Sequence, residues 1–183
     1  MDAGRTEASP IEIALLLMDA VCTPSEQEHG ALRQLATHLE VDLQRLQAEL
    51  LYLRAFAVDF ALALALGGSS EREAIATRYY RHWDRIAQEA GEDVLEDLQG
   101  RLESYSRVID DSGSSQDPLR DQIGQTFALR CQAGKQDQEL VLLGGAMFTA
   151  FFDEVTDLFH TVDIVLYEED REGGAADNVE SEA

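Results

Sequence analysis

Lysine is almost missing from this 183-residue chain. Its 14 basic residues are thirteen Arg and the single Lys135, set against 36 Asp and Glu for a net charge of −22. Such a surface excludes a broad electrostatic grip on DNA, RNA or anionic lipid and leaves only a local basic patch for that role. The acid excess and the preference for Arg fit a salt-tolerant host and, equally, a GC-rich codon usage. Cysteine is scarce: Cys22 and Cys131 lie far apart, form no C-x-x-C pair and have no nearby histidine in sequence. A disulfide scaffold and a cysteine-based zinc site are therefore not expected.

Long apolar runs are also lacking. The longest, Ala55 to Leu66, carries Asp59 and is too short to span a bilayer. The N-terminus has no basic region, and Glu12 interrupts the apolar run from Ile11 to Met18, so no signal peptide is expected and the predicted compartment is the cytoplasm. There is no G-x-x-x-x-G-K, no G-x-S-x-G, no H-E-x-x-H and no glycine-rich dinucleotide loop. No alternation of β-branched residues is long enough to argue for a strand.

What is present is a helical code. With 45% hydrophobic residues the chain can bury a core, and its length suits one domain. Ser9-Pro10-Ile11-Glu12 and Thr23-Pro24-Ser25-Glu26 each set a hydroxyl, a proline and a glutamate in the order of a helix start. Ser70-Glu71-Arg72-Glu73 repeats the box without proline, and Asp117-Pro118 opens another helix. Gly67-Gly68, Gly91, Ser112-Gly113 and Gly134 are the corresponding stops. These signals predict an all-α, single-domain bundle of about six helices near 10–22, 24–66, 70–90, 92–111, 117–133 and 136–167. Residues 1–9 are expected to be a disordered N-terminus. Residues 168–183, with seven acids and one Arg, are expected to be a disordered acidic tail.

Two of these helices dominate. Leu32, Ala36, Leu39, Leu43, Leu46, Leu50, Leu53, Ala57, Phe60 and Leu64 recur at alternating spacings of four and three, a heptad seam that predicts one long helix packed along another. Leu51, Phe56, Val58, Leu62 and Leu66 lie off that seam, so the helix must be surrounded. The last helix is the natural partner, through Leu140, Met147, Phe151, Val155, Leu158, Val162 and Val165. Within it, Gly144-Gly145 predicts a close backbone approach or a bend.

Four constellations are candidates for function. Asp59 has only apolar neighbours one helical turn away, which predicts either a protonated carboxyl or a pair with an Arg or His of another helix. On the last helix an acidic stripe holds Asp157 and His160 one turn apart, the candidate metal ligands; Glu26 and His29 repeat the spacing, but no further Glu completes a dimetal set. Arg78, Arg81, His82 and Arg85, interleaved with Tyr79, Tyr80 and Trp83, form the local basic–aromatic patch. It suits an acidic partner, or alternatively intramolecular salt bridges. Residues 32–50 have a passing likeness to a helix-turn-helix, but Glu40 stands where a turn glycine would help and the seam argues for an unbroken helix.

The functional expectation is a non-catalytic protein-interaction module: an adaptor, a regulator or a chaperone-like binder. It has a protein partner, no cofactor and no nucleic-acid or membrane role. So much apolar helix predicts a homodimer. The alternative is a small-molecule or metal-binding bundle using Asp59, Asp157 and His160, with an enzymatic role open to it. A helix-turn-helix DNA binder is a distant third.

Overall fold

The computed structural model describes residues 5–91, 93–112, 118–132 and 137–167. The fold is an all-α bundle: β1 (Thr6–Ala8), α1 (Pro10–Cys22), α2 (Glu26–His38), α3 (Leu43–Leu66), α4 (Ser70–Ala90), α5 (Asp93–Ser112), α6 (Leu119–Cys131), α7 (Gln138–Thr161) and β2 (Val162–Ile164). Among the described residues no helix is long and apolar enough to cross a membrane.

The helix starts follow the local chemistry, with small shifts of register. Ser9 caps α1 in a full box: its hydroxyl accepts from the Glu12 amide while the Glu12 carboxylate accepts from the Ser9 amide at 2.8 Å. At α2 the cap is Ser25, not Thr23, and at α4 it is Ser69, not Ser70. In both cases the adjacent hydroxyl wins because it meets the amide three residues on. Asp117, expected to cap α6, lies outside the described residues, as do Gly113, Gly134 and the acidic tail 168–183.

The expected helix 24–66 is two helices, so seven are present among the described residues where about six were predicted. Glu40 adopts φ 53°, Val41 donates back to the Ala36 carbonyl, and Asp42 then caps α3 through the Arg45 amide at 2.7 Å. Left-handed backbone costs a non-glycine residue roughly 1–2 kcal/mol. The turn lets α2 fold back so that Leu32 and Ala36 bury against α3. A seam continues through the break because heptad spacing records which residues face inward, not whether the backbone between them is helical.

α3 is the axial helix. Residues 52–58 are all buried, and α1, α2, α4, α5, α6 and α7 all touch it. Most of the apolar seam is thus covered within the chain, although Leu39, Leu43 and Phe60 are half-buried and Leu64, in the last turn, is exposed. The predicted pairing of the two long helices holds. Phe56 and Phe60 of α3 stack on Phe148 and Phe152 of α7, with Tyr105 of α5 against Phe56 at 5.1 Å.

α6 and α7 approach so closely that glycine is required. A Cβ on Gly124 would sit 2.1 Å from the Val141 carbonyl oxygen, one on Gly144 2.6 Å from Phe127 Cβ, and one on Gly145 2.7 Å from the Arg120 carbonyl oxygen. Of the two expectations for Gly144-Gly145, close approach is the one observed. The helix predicted to reach residue 167 ends at Thr161, and residues 6–8, predicted to be disordered, form a strand. Val162, Asp163 and Ile164 instead pair in parallel with Thr6, Glu7 and Ala8, because β-branched residues prefer an extended backbone once a partner strand lies alongside. Arg5 closes this ribbon on Asp163 at 3.1 Å.

Candidate functional site

α1 and α7 both lean on α3, but α1 packs mainly on α4 and α7 on α6. Between α1 and α7 an open groove of about 530 Å³ remains. Leu16, Ala20 and Leu158 line its apolar part, while Asp19, Glu154 and Asp157 bring three carboxylates and no cation among the lining residues. The groove follows from the composition of α1. Apart from Glu12 its run IEIALLLM is apolar, more than one helix face can hold, so burying Ile13, Ala14, Leu17, Met18 and Val21 inward leaves Ile11, Leu15 and Leu16 outside, each about half exposed. A helix of this kind in a globular chain normally has both faces covered.

Asp157 lies on this rim, exposed, and His160 is exposed one turn along. Among the described residues no group of three or more His, Cys, Asp or Glu is arranged to hold a metal ion, so Asp157 and His160 stand there as a pair on an exposed helix face. Glu26 is likewise exposed, and His29 Nδ1 accepts from Gln47 Nε2 at 3.3 Å.

Asp59 is half-buried, and among the described residues its partner is neither Arg nor His. Its Oδ1 accepts from the Tyr80 hydroxyl at 2.8 Å. Burial, reinforced by the Asp59 charge, pushes the Tyr80 hydroxyl well above the usual tyrosine range, so it remains a donor. This is a structural tether between α3 and α4.

The basic–aromatic patch separates by face. Tyr79 and Trp83 are buried with Ile75 and Ala87, whereas Arg81 and Arg85 are exposed; Arg78 and His82 lie between. Among the described residues Arg81 and Arg85 form no ion pair, so the expected intramolecular bridges do not include them.

The buried charges lie elsewhere, at positions not singled out in the sequence. Glu49, 2% exposed, accepts from Arg101 Nε at 2.7 Å and from the Tyr105 hydroxyl at 2.8 Å, joining α3 to α5. Burial first, and then the Glu49 charge, keep that Tyr105 hydroxyl protonated far above its usual range. Arg54, 7% exposed, pairs with Glu28 of α2 and lies 5.5 Å from the Phe151 ring of α7. The sequence trace of either is only its place beside the seam: Glu49 directly precedes Leu50 and Arg54 directly follows Leu53. Arg54 also lines a second cavity of about 320 Å³, with Cys22, His29, Leu32, Gln47 and Leu51.

Neither cysteine is set up as a nucleophile. Burial raises the Cys131 thiol to about 12, and burial followed by the Asp19 charge raises Cys22 above its ordinary value. Comparison with protein-family models, with curated protein sequences and with solved structures finds no match to the chain.

Proposed function

We propose that this chain is a non-catalytic protein-interaction module that docks a partner polypeptide against the outer face of α1. One observation carries this reading: Ile11, Leu15 and Leu16 stand about half exposed on a helix whose opposite face is completely buried, beside an open groove. Exposed large apolar side chains grouped in this way mark interaction surfaces. The buried Glu49 and Arg54 and the half-buried Asp59 are engaged with partners on other helices, which leaves the exposed apolar face as the feature that points to a role.

A photo-crosslinking residue at Leu16, compared with one at Arg85, tests the reading in cells that make the full chain. A discrete polypeptide adduct at Leu16 is expected. Adducts at Arg85 alone would move the surface to the α4 patch, and no polypeptide adduct at either position would end the reading.

The second reading, a small-molecule binder, is favoured by the cavity beside Arg54. Its guanidinium is nine-tenths buried, and among the described residues its Nε has no hydrogen-bond acceptor. Convergent polar groups in an apolar cavity are the usual design of a ligand site. A stoichiometric added mass in native mass spectrometry, lost when Ala48→Trp fills the cavity, would put this reading first. DNA binding is not adopted. The α2–α3 turn restores part of the helix-turn-helix outline, yet Arg45 is held on the Arg130 carbonyl at 2.7 Å and the segment's charge is near neutral.

A further inference from the structure

We infer that the groove between α1 and α7 takes a cationic amphipathic helix of a partner protein, an inference that rests on the interaction reading and names the chemistry of its occupant. The apolar floor of Leu16, Ala20 and Leu158 calls for apolar side chains. The rim of Asp19, Glu154 and Asp157 sets three carboxylates beside that floor. An apolar occupant without cations would strip water from those carboxylates and return nothing, whereas Lys or Arg flanking the apolar anchors would match them.

Three occupants drawn from the chain itself fit poorly on charge or on shape. A second copy docked through twofold symmetry would set this rim against an identical rim, on two chains each of net charge −22. A head-to-tail copy could offer Arg81 and Arg85, but the large apolar side chains of α4 around them, Ile75, Tyr79 and Trp83, are buried and cannot fill the floor. The chain's own segment 168–183 carries seven acids, one Arg and a single large apolar residue, Val179. A cationic segment from another protein meets both requirements. The α7 wall of the groove runs from Glu154 to Thr161, about 11 Å at 1.5 Å per residue, so a partner helix would lie in it over some two turns with anchors at i, i+3 and i+4.

The test uses three fluorescent helical peptides of about 18 residues with one shared apolar face and a Lys/Arg, a Gln/Ser or an Asp/Glu polar face, titrated with the full chain. At low salt the cationic peptide should bind at least about tenfold more tightly than the neutral one, and that margin should shrink in about 0.5 M salt. Leu16→Asn, which leaves the charge untouched, should weaken the cationic peptide about tenfold while the circular dichroism spectrum stays unchanged. Asp19→Asn with Asp157→Asn should remove the margin and spare the neutral peptide.

Equal binding to Leu16→Asn would show charge attraction without a groove and overturn the inference. Preference for the neutral or acidic peptide, lost in Leu16→Asn, would overturn the cationic occupant while leaving the interaction reading intact. Failure of every peptide, with crosslinking at Leu16 also blank, would remove both. Self-association in sedimentation that Leu16→Asn abolishes would assign the groove to a second copy instead.

Discussion

On one flank α7 presents Gly144 and Gly145 to α6, and the two backbones close until no Cβ would fit; on its other flank Glu154, Asp157 and Leu158 face α1 across an open groove. Each glycine costs about 1 kcal/mol of helix propensity relative to alanine, so the first flank accepts a local penalty for close backbone contact. The second keeps large and charged side chains where nothing within the described chain covers them. Close packing is therefore concentrated on one side of a single helix and the proposed docking surface on the other, and substitutions should separate the two.

The largest effect is expected on the tight flank. Gly124→Val drives side-chain atoms into the Val141 backbone, which cannot move aside as a flexible side chain would. A loss of more than about 3 kcal/mol, or failure to fold, should appear in urea denaturation. A variant of native stability would mean that α6 and α7 slide apart freely, and the contrast between the flanks would collapse.

Next comes the buried pair behind the bundle. Arg101→Met leaves Glu49 with only Tyr105, and a loss of about 3 kcal/mol at neutral pH is expected, at the lower end for such pairs because Arg101 is partly exposed. Unchanged stability would show that the Glu49–Arg101 pair contributes nothing net to the fold.

Ser9→Ala removes the cap of the helix that borders the groove and should cost about 1 kcal/mol. Hydrogen bonds from Ser9 hold the Glu12 carboxyl below its ordinary range. A lowered folded pKa stabilises above the unfolded value and loses that contribution as pH falls through the folded value. The melting temperatures of wild type and Glu12→Gln should accordingly differ at neutral pH and converge in acid. A difference that persists at low pH would contradict the capping role.

The smallest effect on stability belongs to the open flank. Leu16→Asn should change unfolding free energy by less than about 0.5 kcal/mol, since Leu16 is 54% exposed. A large loss would mean that the groove wall supports the fold, and the two flanks would then differ only in degree.

Much of this architecture was legible residue by residue. The Ser9 box, Gly67 and Gly91 mark ends that the structure reproduces, because capping is decided by atoms within three or four residues of one another. The turn at Glu40 was legible only as the helix-turn-helix outline that the seam argued against. The seam passes through it unbroken, and a non-glycine residue in left-handed backbone is tolerated only because α2 then packs on α3. Glu49 and Arg54 carry the same lesson: an acid or base beside a seam reads as surface until a partner from another helix, Arg101 or Glu28, is brought to it. Asp59, expected either protonated or paired with an Arg or His, shows the converse, since a tyrosine hydroxyl of α4 is brought to it.

By itself the sequence determined the helical class, most helix ends, the pairing of the two long apolar segments and the acidity that excludes broad polyanion binding. Those follow from local hydrogen bonding, apolar periodicity and composition. Only the tertiary structure decided which charges are buried, that α6 and α7 meet on glycine, and that α1 and α7 stand apart around an acid-rimmed groove. Such outcomes depend on which helices become neighbours, and the spacing of residues along one chain carries no record of distances between helices.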